Sequence, residues 1–288
     1  MRSNAREALN DLILEIRFKR TTKYEYDMNI LCIGDTVGKA GRKIVSELLV
    51  NLKQEFQAEL TIVNAENAAG GAGLTPRIAD EMFQSGCDVL TLGDHVWDRQ
   101  ELMEYLNEKS NIVRPANFPE GAPGKGWCIV ELPSGKKIGV LNLLGRVFMR
   151  YNVDCPFRAL QRIIEQIKKE TSIVIVDFHA EATSEKIALG FFSDGQVTAV
   201  VGTHTHVQTA DEKILPNGTA YITDLGMTGP HDSVIGQKKE KIIQRFLTSI
   251  PIRFEVAQED LWLHGVVVEL DEQTGLARRI TRLQRRLV

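Results

Sequence analysis

The chain has 288 residues, a charged fraction of 25% and a formal net charge of −3. That fits a soluble globular protein of one large or two modest domains, and argues against a polyanion-binding surface as its main business. No stretch approaches the roughly 18 apolar residues of a membrane span, and four scattered cysteines without CxxC spacing read as reduced packing residues, which points to a cytoplasmic setting.

Residues 1–27 mix charges of both signs and read as an extension before the core. Their apolar run, Leu12-Ile13-Leu14, is short and followed by Glu15, unlike an ordinary signal peptide. A single domain is expected over 28–288. Its first strand, 29–33, ends at Gly34-Asp35. Gly38 and Gly41 open a helix to about residue 56, with Ile44, Leu48, Leu49 and Leu52 at helical spacing. A strand over 60–63 runs out into Asn64-Ala65-Glu66-Asn67. Thr75-Pro76 starts a helix through residue 83, with proline at its first position. The strand over 88–92 ends in Gly93-Asp94-His95, and another helix follows from about residue 99. Strands alternating with helices predict a mainly parallel sheet covered on both faces.

A Pro/Gly-rich loop spans 114–126. Strands over 127–132 and 137–143, joined by Pro133-Ser134-Gly135, carry a hairpin signal. A helix over 157–169 leads to the apolar run ending in His179. The run 197–201 ends in Gly202-Thr203-His204-Thr205-His206. A strand over 219–223, a helix over 238–247 and strands over 265–270 and 277–283 complete the chain. This order fits an α/β protein with two stacked sheets and helices outside.

Candidate ligands stand at five strand ends: Asp35, Glu66 with Asn67, Asp94 with His95, His179, and His204 with His206. In open α/β sheets that edge is where sites are built. One such residue would mean little, since Asp and Asn favour turns for their own backbone hydrogen bonds. Five in succession point to a joint metal site. In extended chain, residues two apart lie on one side at roughly 6.5–7 Å, so His204 and His206 are expected to face one site, with Thr205 setting the alternation. The donor count exceeds the needs of one tetrahedral ion and suits two adjacent ions sharing a carboxylate. Oxygen and nitrogen donors without sulfur favour divalent iron, manganese, cobalt or zinc over magnesium or calcium, with iron or manganese foremost.

These blocks resemble the calcineurin-like metallophosphoesterases. More narrowly, Asn64-Ala65-Glu66-Asn67-Ala68-Ala69, Arg114-Pro115-Ala116-Asn117-Phe118-Pro119, the block from Asp177 to Lys186 and the block from Gly202 to Ala210 are similar to the bacterial YmdB family. The resemblance covers about Met28 to the C-terminus. It implies a four-layer αββα sandwich of two mixed β-sheets flanked by helices. It also implies a dinuclear phosphodiesterase acting on cyclic nucleotides of the 2′,3′- or 3′,5′-cAMP type. By position, Asp35, Asn67 and His206 would bind one ion, Asp94, His179 and His204 the other, and Glu66 would bridge. A metal-bridged hydroxide would attack phosphorus, and His95 would protonate the leaving alkoxide. The family pattern carries Asn where this chain has Asp94, which adds a negative charge.

A phosphomonoesterase or nuclease built on the same site, or a metal-binding regulatory protein, are the alternative readings. The expected partner is a small phosphodiester, with no membrane and no strong nucleic-acid surface; homo-oligomerisation is left open. Arg114 and Arg146 are candidate phosphate clamps or structural pairs. His231 reads as solvent-exposed in a turn, His264 as structural, and Trp97 as a base-stacking or packing residue. The C-terminal arginines, from Arg278 to Arg286, read as a solvated strand.

Overall fold

The computed structural model describes residues 27–287. Apart from Asp27, the expected N-terminal extension lies outside the described residues. The first half of the chain gives β1 (Asp27–Ile33), β2 (Asp35–Thr36), α1 (Gly38–Glu55), β3 (Ala58–Asn64), α2 (Pro76–Gln84), β4 (Val89–Thr91), α3 (Leu102–Glu108) and β5 (Ile112–Val113). Then come β6 (Trp127–Glu131), β7 (Lys137–Leu144), α4 (Pro156–Ile167), β8 (Val174–His179), α5 (Thr183–Phe192), β9 (Ala199–Thr203), β10 (Lys213–Ile214) and β11 (Ala220–Ile222). The chain closes with β12 (Met227–Pro230), α6 (Lys239–Thr248), β13 (Leu261–Asp271) and β14 (Ala277–Arg286).

Two mixed sheets result. The first has the order β2-β12-β13-β1-β3-β4-β5, with β14 also paired to β13; the second runs β10-β11-β9-β8-β7-β6. Strands β1, β3, β4 and β5 are parallel neighbours, and β13 inserts antiparallel beside β1. In the second sheet β7, β8, β9 and β11 are parallel, and β6 joins β7 as the expected antiparallel hairpin.

Period-two alternation sorts the side chains into layers. Ile30 and Cys32 of β1, Leu60 and Ile62 of β3 and Val266 of β13 meet Val140, Ile175 and Val201 of the second sheet in one buried cluster. Their alternates Leu31, Ile33 and Val63 face Ile44 and Leu49 of α1, Met82 of α2 and Leu106 of α3. On the far side Leu141, Val176 and Val200 pack against Leu160 and Ile164 of α4. The layers are thus helix, sheet, sheet, helix, as the resemblance implied. Burying each such side chain is worth about 1.5–3 kcal/mol, and the three clusters fill the three interfaces between the layers.

Thr75 caps α2 by accepting from the Ile78 amide at 3.3 Å, with Pro76 opening the first turn. One helix, α5, had no sequence expectation. Its run Ile187-Ala188-Leu189-Gly190-Phe191-Phe192 is apolar without a helical stripe, so periodicity could not announce it. No helix among the described residues is long and apolar enough to cross a membrane.

Candidate metal centre

The carboxyl ends of both sheets converge on one place. Asp35 lies just past β1, Glu66 and Asn67 past β3, Asp94 and His95 past β4, His179 ends β8, and His204 and His206 follow β9. Asp35, Glu66 and His179 are fully or almost fully buried. Buried parallel strands cannot spend polar side chains along their length, so polar residues collect where the strands stop. Gly93 makes the convergence possible. A Cβ there would stand 2.1 Å from Glu66 Oε2 and 2.4 Å from His179 Nε2, inside the space these donors occupy.

Donor atoms of Glu66, Asp94, His179 and His204 all lie within 4.8 Å of one another. His179 Nε2 is 3.1 Å from Glu66 Oε2, 3.2 Å from Asp94 Oδ1 and 3.0 Å from His204 Nδ1. A second group adjoins it. His206 Nε2 is 3.3 Å from the Asn67 amide and 3.8 Å from Asp35 Oδ1. Glu66 faces both groups: its Oε1 accepts from Asn67 Nδ2 at 2.7 Å while its Oε2 faces His179.

The hydrogen bonds behind the rings assign their tautomers. Thr203 Oγ1 donates to Asp177 Oδ1 at 2.7 Å, so the same oxygen accepts from His179 Nδ1 at 2.9 Å, and His179 Nε2 keeps its lone pair. Asp177 Oδ2 accepts from Asn64 and Thr91, which fixes that carboxylate in turn. His204 Nε2 donates to Glu181 Oε2 at 3.0 Å, which turns its Nδ1 lone pair inward. His206 Nδ1 donates to the Ile235 carbonyl at 3.1 Å and leaves Nε2 as the free acceptor. Two imidazole lone pairs and two carboxylates therefore point at one small volume. Lone pairs 3.0 Å apart repel unless a cation lies between them. Asp35 Oδ1 adds a buried carboxylate oxygen without a hydrogen-bond partner among the described residues. Donor chemistry and orphaned atom both fit divalent transition metal.

The charge balance of the metal-free protein agrees. Burial alone would lower His179, yet Glu66, Asp94 and Asp35 around it hold its pKa well above the ordinary value. Burial and neighbouring His179 push His204 down to about 4. Burial opposes the charge on Asp94, but His179 and His204 hold that carboxyl far below its usual range. Burial pushes the Asp35 carboxyl up to about 6.

One expectation fails. His204 and His206 do not alternate along extended chain. Strand β9 stops at Thr203, and the two histidines have φ of +99° and +66°. Non-glycine residues in the left-handed region are held by their surroundings at a cost of about 1–3 kcal/mol each. The His204 amide donates to Asp35 Oδ2 at 3.1 Å, and between the two histidines Asp224 Oδ2 accepts from the Thr205 amide at 3.1 Å and from the Thr205 hydroxyl at 2.7 Å. Asp224 is in turn paired with buried Lys186 at 2.7 Å. Thr205 thus anchors the loop, and strand geometry plays no part.

Other residues resolve. Arg114 is structural: its guanidinium donates to the Pro115, Ala122 and Pro123 carbonyls. Trp97 is partly buried and packs edge-on against Phe118 at 5.4 Å, at the margin of the core. His231 is half-buried rather than solvent-exposed, with its ring 4.4 Å from that of His264 and its Nε2 on the Met227 carbonyl. The C-terminal arginines each face a carboxylate, for example Arg282 to Glu212 and Arg285 to Glu55, both at 2.7 Å. Sequence reasoning missed Asp98, Glu181 and the Lys186–Asp224 pair. Asp224 follows a sixth strand, β11, and the strand-end rule could have found it.

Beside the cluster lies a cavity of about 840 Å³, bordered by Glu66, Asn67, His95, His204 and His206. A four-layer sandwich whose two sheets deliver carboxylates and imidazoles to a common edge cavity is the architecture of the metallophosphoesterases. The family model for YmdB-like proteins matches residues 31–283, and the chain belongs to that family. It is 51% identical over 256 residues to the 2′,3′-cyclic-nucleotide 2′-phosphodiesterase of Bacillus subtilis, covering 89% of this chain and 96% of that protein. Among solved structures, a phosphatase from Mycoplasma pneumoniae superposes with a TM-score of 0.85 at 38% identity, covering 90% of this chain and 94% of that one. A hypothetical protein from Thermus thermophilus gives 0.83 at 40% identity, covering 90% and 99%.

Asp94 invites a direct test. An Asp94→Asn variant removes a carboxylate that lies 3.2 Å from His179 Nε2. We expect metal affinity to fall on the order of tenfold, with no gain in turnover. Equilibrium dialysis against manganese checks it; unchanged occupancy and unchanged rate would remove any special role for the carboxylate.

Proposed function

We propose that the protein is a dinuclear metal-dependent phosphodiesterase acting on 2′,3′-cyclic nucleotides. The observation that carries this reading is the convergence of imidazole lone pairs and carboxylates on one volume at the edge of an open cavity. The name of the Bacillus subtilis relative supports the substrate class.

In this reading Asp35, Asn67 and His206 hold one ion, and Asp94, His179 and His204 hold the other. Glu66 spans them, as its two oxygens facing the two donor groups support. Two divalent ions, iron or manganese foremost, supply Lewis-acid stabilisation of phosphoryl oxygens and water of lowered pKa. The chain supplies orientation and the proton. His95 borders the cavity, and its Nδ1 is 2.7 Å from Asp98 Oδ2. Asp98 is itself held by Arg150 at 2.9 Å. With Nδ1 so engaged, Nε2 is the atom that delivers a proton to the departing alkoxide. In the metal-free protein burial opposes the charge on His95, and Glu66, Asp98 and Asp94 raise its pKa.

Turnover of the manganese-loaded protein on a panel of 2′,3′-cAMP, 3′,5′-cAMP and p-nitrophenyl phosphate tests the reading. Diester hydrolysis with 2′,3′-cAMP foremost is expected; fast monoester hydrolysis without diester turnover would overturn it. His95→Ala should lower kcat about 10²–10⁴-fold with metal content unchanged. Equal loss of metal and rate would instead make His95 a residue that orients the ligands.

A further inference from the structure

We infer that the part of the cavity wall built by α6 and the segment after it is a nucleobase-stacking subsite, made by Phe246, Phe254 and Arg245. This rests on the phosphodiesterase reading above and adds to it what the enzyme grips besides phosphate.

The cavity has two kinds of wall. One is the polar floor of carboxylates and imidazoles. The other is apolar, from Ile235, Ile242, Phe246 and Phe254, with Arg245 beside them. Phe246 is 81% exposed and Phe254 37%. An exposed phenylalanine forgoes most of the gain that burial would give its ring, so a ligand that covers it recovers that gain. The Arg245 guanidinium lies over the Phe254 ring, 5.0 Å from its centroid, a cation–π contact that holds both groups at this wall. Arg245 is the sole lysine or arginine among the described residues bordering the cavity. Turned onto Phe254, it serves a planar partner better than a point charge would. A volume of about 840 Å³ lies in the range of sites that enclose a ligand the size of a nucleoside monophosphate.

A flat, aromatic and weakly hydrogen-bonding wall recognises the π-face of a base and not its edge pattern. The inferred preference is therefore for nucleoside cyclic phosphates over cyclic phosphodiesters without a base, with little choice among the four bases. This separates a nucleotide enzyme from one that takes any small cyclic diester.

The experiment compares KM for 2′,3′-cAMP with KM for glycerol 1,2-cyclic phosphate on the manganese-loaded full chain. The intact protein should prefer the nucleotide about 5–150-fold in KM, the equivalent of about 1–3 kcal/mol for one stacked base. The double variant Phe246→Ala, Phe254→Ala should lose that preference through KM while kcat for the nucleotide moves less than about twofold. Phe246→Trp should keep the preference and Phe246→Leu should reduce it. Ile243 and Leu247 sit on the same helix outside the cavity, 52% and 81% exposed, and their double serine variant should keep the wild-type KM. A preference that survives the alanine variant, or falls equally in the serine variant, overturns the subsite. Failure of the loaded intact protein to hydrolyse either diester would overturn the phosphodiesterase reading instead, so the two failures are distinguishable.

Discussion

Replacing His179 with alanine is expected to abolish most activity and to deplete the bound metal. Its Nε2 is within 3.2 Å of Glu66, Asp94 and His204 donor atoms, at the centre of the cluster. In the variant two carboxylates and one imidazole face a void that a coordinating atom should fill. Several kcal/mol of transition-state stabilisation come from a correctly held metal. At about 1.4 kcal/mol per factor of ten, kcat/KM should fall about a thousandfold or more. Elemental analysis should show at least half the metal gone, while circular dichroism of the metal-free variant stays native. Full metal occupancy with a rate within tenfold of wild type would show that His179 is not a ligand.

The second large effect is expected at a buried pair that does not itself border the cavity. Lys186 and Asp224 are 1% and 0% exposed and lie 2.7 Å apart. Removing one partner of a buried ion pair costs about 3–5 kcal/mol, because the other charge stays buried and uncompensated. Asp224 also accepts from Thr205 and from the Gly226 amide, so Lys186→Met should cost about 3 kcal/mol, near the lower limit. Urea denaturation of the metal-free protein measures it. The same variant loosens the grip on Thr205 and so the left-handed conformation of His204 and His206, and metal affinity should drop about 10–100-fold. Adding Asp224→Asn should return part of the stability, because it removes the stranded charge. A variant of wild-type stability and metal affinity would show the pair to be incidental to the loop.

Much of this site can be read from the chain because buried parallel strands leave few places for polar residues. Asp35, Glu66, Asp94, His179 and His204 each follow an apolar run, and the fold brings all five strand ends to one edge. What connects the ends is not local. Strand β13 (Leu261–Asp271) lies far along the chain from β1 (Asp27–Ile33), yet inserts beside it with Gly265 opposite Ile33, and no periodicity announces that pairing. The reading of His204 and His206 as strand neighbours failed for a similar reason. Their loop is held by Asp35 and by Asp224 with Lys186, distant in sequence, and local alternation cannot report a conformation imposed by such contacts. Glu181 and Asp98 were illegible because a residue that orients an imidazole needs no strand-end position, only proximity in the fold.

We propose that the strand ends hold two transition metal ions that enable phosphodiester hydrolysis. The measurement that tests it most directly is elemental analysis of the full chain purified without chelators, paired with 2′,3′-cAMP turnover on the same sample. About two iron or manganese ions per chain are expected, with turnover that falls as a chelator removes them and returns on reloading. No bound transition metal, together with no metal-dependent turnover, would contradict it.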